Sequence, residues 1–287
     1  MEPNSGKSLW GDYDNDGDLD ILTSGDEHNG AKTRVYKNDA GTFTDIQADF
    51  IAIKDGTIEW LDYDNDGDLD IFETGGKAIG YNSDTSITVM YKNVAGTFTV
   101  DNTLAFANVK YATTTWGDFD DDGDLDLVMY GLVTPTTNYA RMHMLYRNDS
   151  TNPNTAPTVP TNLSANATGN GVVLSWNAST DTETTDGRGL TYNIYIGTTS
   201  GGVDAVSPMA DVSTGFRKVV ATGNVDHNLS WSFEGLKNGT HYWSVQAIDP
   251  GFKGSAFAAE GSFASVDDPP AVPLEFTAKS GNSSVLL

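Results

Sequence analysis

The sequence predicts an all-β protein: a partial β-propeller of three four-stranded blades with acidic loops, followed by an immunoglobulin-like β-sandwich. Three observations carry this. A string of alternating aspartates occurs three times, as WGDYDNDGDLDIL from Trp10, WLDYDNDGDLDIF from Trp60 and WGDFDDDGDLDLV from Trp116. Each copy is followed by a second shared stretch that ends in Tyr-Lys-Asn or Tyr-Arg-Asn. Beyond a Pro/Thr/Asn-rich linker the chain changes to apolar alternation at period two, with turn residues between the runs.

The acidic strings open at Asp12, Asp62 and Asp118, so the repeats are spaced by 50 and then 56 residues. In each unit the first strand carries the Trp and leads into the acidic loop. The second strand is DLDILTSG, DLDIFETG or DLDLVMYG, and the third ends at Tyr36-Lys37-Asn38, Tyr91-Lys92-Asn93 or Tyr146-Arg147-Asn148. The fourth is the Gly-Thr-Phe-Thr stretch after Ala40 and Ala95, which the third unit lacks. Extra residues of the second unit, Tyr81 to Ser86, fall between strands two and three, where loops accept insertion. Four short strands in a repeat of about fifty residues is the pattern of a propeller blade. Rings close with about four to eight blades, so three predict further blades upstream in the same parent chain, or else closure between chains.

Within the first loop, carboxylates occupy positions one, three, five, seven and nine: Asp12, Asp14, Asp16, Asp18 and Asp20, with Gly17 at position six. The second loop repeats this with Asp62, Asp64, Asp66, Asp68 and Asp70, and the third with Asp118, Asp120, Asp122, Asp124 and Asp126. Such clusters repel themselves at neutral pH unless a cation neutralises them. Oxygen ligands at alternate positions of a tight loop suit calcium, which takes six to eight hard oxygens at roughly 2.3–2.6 Å. Magnesium demands stricter octahedral geometry, and with no His or Cys in the loops zinc and copper are poor candidates. A helical calcium loop would need a bidentate Glu at position twelve. Thr23, Glu73 and Met129 stand there and no helix-forming segment precedes, so the expectation is about three calcium sites in β-hairpins.

Composition narrows the function. The formal charge is −24, with 16 Lys and Arg against 40 Asp and Glu, and sixteen of the aspartates lie in the three loops. Phosphate binding needs clustered Lys and Arg, so nucleic acid is excluded as a partner, and anionic membrane surfaces are disfavoured. No stretch is long and apolar enough to insert into a bilayer, and the first residues are no apolar signal segment. The absence of cysteine excludes a disulfide framework and thiolate chemistry. That fits a cytosolic protein or a secreted bacterial one braced by metal.

On these loops the first half, about residues 5–150, resembles the FG-GAP (VCBS-type) repeats of integrin-like β-propellers, whose blades carry Asp-x-Asp-x-Asp-Gly-x-x-Asp loops. The resemblance implies that Asp12, Asp14, Asp16 and Asp20 bind calcium through side chains and Asp18 through its backbone carbonyl. The same roles fall to Asp62, Asp64, Asp66 and Asp70 with Asp68, and to Asp118, Asp120, Asp122 and Asp126 with Asp124, while Asp121 points away. The family includes adhesion receptors and bacterial secreted proteins, so it implies architecture more firmly than function.

The domains are then read as 1–150 for the propeller blades, 151–157 for a linker, and 158–268 for the sandwich. In the sandwich the alternating runs GVVLSW, LTYNIYIGT, NLSWSFEGL, HYWSVQAID and AFAAEGSFAS predict about seven strands without a disulfide. LSW at Leu174 to Trp176 and LKNGTHYWSVQAID from Leu236 make this part similar to a fibronectin type III domain. His241 stands where many such domains have a corner tyrosine, and is expected to hydrogen-bond back to the preceding loop. Residues 269–287 hold a linker and PAVPLEFTAKSGNSSVLL, which repeats PTVPTNLSANATGNGVVL with Pro273 following Pro160 by 113 residues. They read as the start of a second, truncated domain of the same kind, whose half-sandwich should be poorly ordered or borrow a partner.

No catalytic constellation emerges. His28, His143, His227 and His241 lie in different units, and there is no phosphate loop, nucleophile elbow or zinc spacing. Glu59 and Glu73 are the carboxylates outside the loops that a glycosidase-like pair would draw on. Tyr81, Tyr130 and Tyr139 are candidates for stacking on sugar rings, with sheet packing the plainer role. The expectation is a non-catalytic calcium-binding protein, extracellular or at the cell surface, that mediates adhesion or binds a glycan or protein ligand. Calcium is structural in that reading, and the export signal lies on an upstream part of the parent chain. Weak sites of this kind need the millimolar calcium found outside cells. The alternative is an accessory part of a secreted polysaccharide-degrading lyase or hydrolase, since some lyases also resemble calcium-loaded propellers.

Overall fold

A computed structural model describes residues 6–27, 30–77, 85–120, 122–133, 140–184, 187–266, 279–281 and 284–286. Among these the protein is all-β, with antiparallel sheets and no α-helix. The first unit is a four-stranded sheet of β1 (Lys7–Gly11), β2 (Asp20–Glu27), β3 (Gly30–Asp39) and β4 (Thr42–Asp45) in sequential order. The second repeats it with β5 (Ile53–Leu61), β6 (Asp70–Lys77), β7 (Ser86–Val94) and β8 (Thr97–Val100). The third has three strands, β9 (Val109–Gly117), β10 (Asp126–Val133) and β11 (Arg141–Tyr146), in keeping with its missing Gly-Thr-Phe-Thr stretch.

Local chemistry sets these hairpins. Ala40-Gly41 and Ala95-Gly96 turn with both residues at positive φ, as a two-residue hairpin that follows strand twist requires. Asn38 and Asn93 stabilise the turns by accepting the Gly41 and Gly96 N–H at 2.8 and 2.9 Å.

The three sheets stack face to face. In the middle one, Ile71 pairs with Tyr91 and Phe72 with Met90, so successive residues point to opposite sides. Ile58, Ile71 and Tyr91 join Leu22 and Val35 of the first unit in one core. Phe72 and Met90 join Val109, Leu127 and Met129 of the third unit in another. This covering on both faces buries β6 from Asp70 to Gly76.

Aromatic residues lock the stack. Tyr13, at position two of the first loop, lies parallel to Trp60 with ring centres 6.3 Å apart and also meets Phe98. A side chain on Gly11 would strike the Trp60 ring at 2.7 Å, so this close approach requires glycine there. Tyr63 is buried in the same way against the third unit. Among the described residues the two ends of the stack have no such partners: Trp10 is 61% exposed and Phe119, the counterpart of Tyr13, is 55% exposed.

In the second half, β12 (Thr161–Thr168), β13 (Gly171–Asn177) and β15 (Ser230–Phe233) form one sheet, and β14 (Thr191–Gly197), β16 (Gly239–Ile248) and β17 (Gly261–Ser265) another. Leu174 and Trp176 of the first sheet meet Tyr192, Ile194, Trp243 and Val245 of the second in a single core. These are six strands where the alternation predicts about seven. Between β14 and β15 the chain makes only isolated bridges, such as Ile196 with Val206. Gly201, Gly202 and Pro208 break that stretch. It lies across β14 and β16 instead, where Asn193 donates to the Pro208 carbonyl and Gln246 to the Gly215 carbonyl.

His241 is buried, and its Nε2 donates to the Lys237 carbonyl at 2.8 Å, the backward bond expected of it. Of the tail, β18 (Lys279–Gly281) pairs with β19 (Ser284–Leu286). The order expected of the rest of 267–287, and the insertion at Tyr81–Asp84, lie outside the described residues.

Candidate metal centres

All three acidic strings fold into the same loop between the first and second strands of a unit. Position one anchors it: Asp12 accepts the Asp16 and Gly17 N–H at 3.0 and 2.9 Å, Asp62 accepts those of Asp66 and Gly67 at 3.1 and 3.0 Å, and Asp118 those of Asp122 and Gly123 at 3.1 and 2.9 Å. Position nine closes it. Asp20 accepts from the N–H of Tyr13 and Asn38, Asp70 from those of Tyr63 and Asn93, and Asp126 from those of Phe119 and Asn148. Gly17, Gly67 and Gly123 sit at φ of 91°, 87° and 95°, a backbone that only glycine adopts freely.

This fold turns carboxylates inward. Oxygens of Asp12, Asp14 and Asp20 come within 4.8 Å of one another in the first loop, as do those of Asp62, Asp64 and Asp66 in the second and Asp118, Asp120 and Asp122 in the third. Position seven is not among them. Asp18 and Asp68 give a carboxylate oxygen to the Ala40 and Ala95 N–H of the neighbouring hairpin, each at 2.9 Å. Asp124 accepts from the Asn65 amide. That leaves their carbonyls as the ligands available at this position. Asp121 lies outside the described residues.

The donor set fits a hard cation. It is all oxygen, and Asp14 Oδ1 and Asp64 Oδ1 are buried with no hydrogen-bond partner. Burial raises Asp12 and Asp20 to about 7, Asp62 to about 8 and Asp70 to about 9, with neighbouring aspartates adding to the rise. A divalent ion held by Asp12, Asp14, Asp16 and Asp20, and by their counterparts, would supply the missing charge and displace those protons.

Residues outside the loops take part in ways the loop pattern alone does not reveal. Lys37 pairs with Asp14 and with Asp16 at 3.1 Å, and Lys92 pairs with Asp64 and with Asp66 at 3.0 Å. Both lysines are held charged, and Asp16 is drawn below the usual carboxylate range by the Asp18 N–H and Lys37 against an opposing effect of burial. In the third unit Arg147 reaches Asp120 at 3.4 Å and also pairs with Asp149. The asparagine that follows these cations ties units together: Asn93 donates to the Tyr13 carbonyl at 2.7 Å and Asn148 to the Tyr63 carbonyl at 2.6 Å. Asn15 donates to Gly67 and Asp68, and Asn65 to Asp124, so consecutive loops form one ladder. The recurrence of Tyr-Lys/Arg-Asn in every unit is the signal for this wiring.

Other singled-out residues do not converge. Ile58 pairs with Glu73 and Glu59 with Phe72, so the two glutamates point to opposite faces of the second sheet. Glu73 is buried against the first unit, where Thr33 donates to it at 2.5 Å; burial raises it to about 8. Glu59 accepts from Thr114 of the third unit. Tyr130 packs on His143 with ring centres 4.5 Å apart, and His227 Nδ1 contacts the Leu190 carbonyl at 3.1 Å. Tyr81, Tyr139 and His28 lie outside the described residues.

A model of the FG-GAP-like repeat family matches residues 12–73, a stretch that contains the first two loops. No curated protein matches the chain. One solved structure, described as the extracellular domain of a one component system from B. thetaiotaomicron, aligns over 88% of this chain at 10% identity. Its TM-score is 0.20 and the chain spans 35% of that chain's length, a likeness that carries no argument.

Proposed function

We propose that this chain is a calcium-braced, non-catalytic binding module of an extracellular or cell-surface protein. Its three repeat units are propeller blades, and the second half is a fibronectin type III sandwich. Asp14 Oδ1 and Asp64 Oδ1 carry the calcium reading, because each is a buried carboxylate oxygen left without a partner at the same place in successive loops. Calcium held there braces the hairpin and, through the asparagine ladder, the seam with the next blade. Stacking supports the propeller. Trp10 and Phe43 border a groove on the first unit that is the counterpart of the Trp60–Phe98 groove holding Tyr13, so a further blade would seat an aromatic in it.

Calcium sites of this kind are filled at the concentrations found outside cells, with affinities on the order of 10⁻⁴–10⁻³ M. A cleft of about 760 Å³ beside the third loop, lined also by Phe216 and Lys253, is where we place a glycan or protein ligand. The test is a glycan and cell-binding screen in calcium and in EGTA, run beside incubation with polysaccharides. Calcium-dependent binding without new product is expected. Turnover of a polysaccharide, with unsaturated or reducing ends appearing, would replace the binding reading with an enzymatic one.

A further inference from the structure

A second set of unpartnered oxygens lies where the second acidic loop meets the second half of the chain. Asp249 follows the end of β16 and is 4% exposed. Its Oδ1 accepts the Lys253 N–H at 2.8 Å, while its Oδ2 has no partner. Asp181, in the segment after β13, accepts the Thr184 N–H on Oδ2 and likewise has a buried, unpartnered Oδ1. Asn65, in the second acidic loop, spends its amide nitrogen on Asp124 and Asn152, which leaves its buried Oδ1 unpartnered. The Thr184 hydroxyl oxygen, on a fully buried residue, is unpartnered too.

Asn65 and Asp249 converge. A side-chain carbon on Gly251 would meet Asn65 Oδ1 at 3.4 Å, Asp249 Oδ1 at 3.5 Å and the Asn154 amide nitrogen at 2.6 Å. Three separate segments therefore crowd one point, and glycine leaves it open. The Thr184 N–H that donates to Asp181 lies against the second acidic loop, 2.7 Å from where a side-chain carbon on Gly67 would sit. Among the described residues, neither Asp181 nor Asp249 pairs with a Lys, Arg or His. A buried water would serve two of these acceptors, yet it would bring no positive charge to the two carboxyl groups.

We infer that Asp249, Asp181 and Asn65, with the Thr184 hydroxyl, form a further cation site at the junction of the two halves. The ligands are all hard oxygens, and two are carboxylates from the second half, so the ion is calcium or one of its size and charge. Waters complete its shell. Asn65 belongs to the repeat units and the carboxylates to the sandwich-like half, so the ion fixes one half on the other.

The test counts calcium bound to the full chain by equilibrium dialysis and follows melting in calcium and in EGTA. The comparison is between wild type, Asp249→Asn, Asp181→Asn and a triple loop variant, Asp14→Asn with Asp64→Asn and Asp120→Asn. Either junction variant is expected to lose one equivalent of calcium and part of the calcium-induced rise in melting temperature. In EGTA Asp249→Asn should melt no lower than wild type, since it removes a buried charge. The triple variant should keep the junction equivalent, which separates failure of the loops from failure of this site. Wild-type stoichiometry and an unchanged calcium-induced shift in both junction variants would overturn the inference. Should Asp249→Asn not fold, Asp181→Asn decides by the same readout.

Discussion

The first two acidic loops and the third share nearly every residue, yet the structure treats them differently. At position one Asp12 and Asp62 are buried and Asp118 is exposed. At positions three and five the half-buried Asp14, Asp16, Asp64 and Asp66 contrast with the exposed Asp120 and Asp122, while position nine is buried in all three. Tyr13 and Tyr63 are buried at position two, while Phe119 at the same position stands open. The cause is the neighbour and not the loop. The second unit covers the first loop with Trp60, Phe98 and Asn93, and the third covers the second with Trp116 and Asn148. Among the described residues no unit covers the third. One motif thus gives two deep sites and one shallower site, and the depth comes from stacking.

Substitutions at position two should break this contrast most sharply. Tyr13→Ala is expected to cost about 3–5 kcal/mol, as for other large aromatic truncations in a core. Phe119→Ala should fall within about 0.5 kcal/mol of wild type. Denaturant titration checks both, and equal costs would show that the seam does not discriminate between the loops.

Next come the inward carboxylates. At calcium a hundredfold above its dissociation constant, each filled site adds about 2.7 kcal/mol. Asp64→Asn should forfeit that increment in calcium and change little in EGTA. Asp120→Asn, with its exposed neighbours, should lose less and show weaker calcium affinity by titration calorimetry.

The asparagine seam ranks third. Asn93→Ala leaves the buried Tyr13 carbonyl without its donor, a loss of about 1–3 kcal/mol. Asn38→Ala removes bonds to Leu19 and Gly41 within its own unit alone and should cost less by the same titration.

This ranking follows what was legible. The sequential order of strands in each unit could be read from three in-phase copies, because it depends on local spacing. Burial of the loops could not, since it depends on which sheet packs behind each one. Residue type does not separate the position-seven aspartates from the inward ones; the family resemblance implies a backbone role for them, and the hydrogen bonds of Asp18 and Asp68 to Ala40 and Ala95 show what their side chains do instead. The missing seventh strand of the second half has a similar origin, because Asn193 and Gln246 recruit the stretch as a cover over β14.

A separate effect concerns pH. Glu73 titrates near 4.5 when unfolded and at about 8 in the structure, because burial disfavours its charge. Its stabilisation is therefore full below about pH 4.5 and is lost as pH rises to about 8, at about 1.4 kcal/mol per pH unit. Glu73→Gln should flatten that part of the stability profile between pH 5 and 8 and leave calcium binding unchanged. An unaltered slope would place Glu73 in contact with water.

Calorimetric melting of the chain at pH 7.5, in EGTA and in 10 mM calcium, tests the central claim most directly. The account predicts that calcium raises the melting of the repeat units by about 5–10 °C for each deep site filled. It predicts also that Asp14→Asn with Asp64→Asn removes most of that rise while Asp120→Asn leaves most of it. A melting transition that stays in place when calcium is added would contradict the reading of these loops as calcium sites.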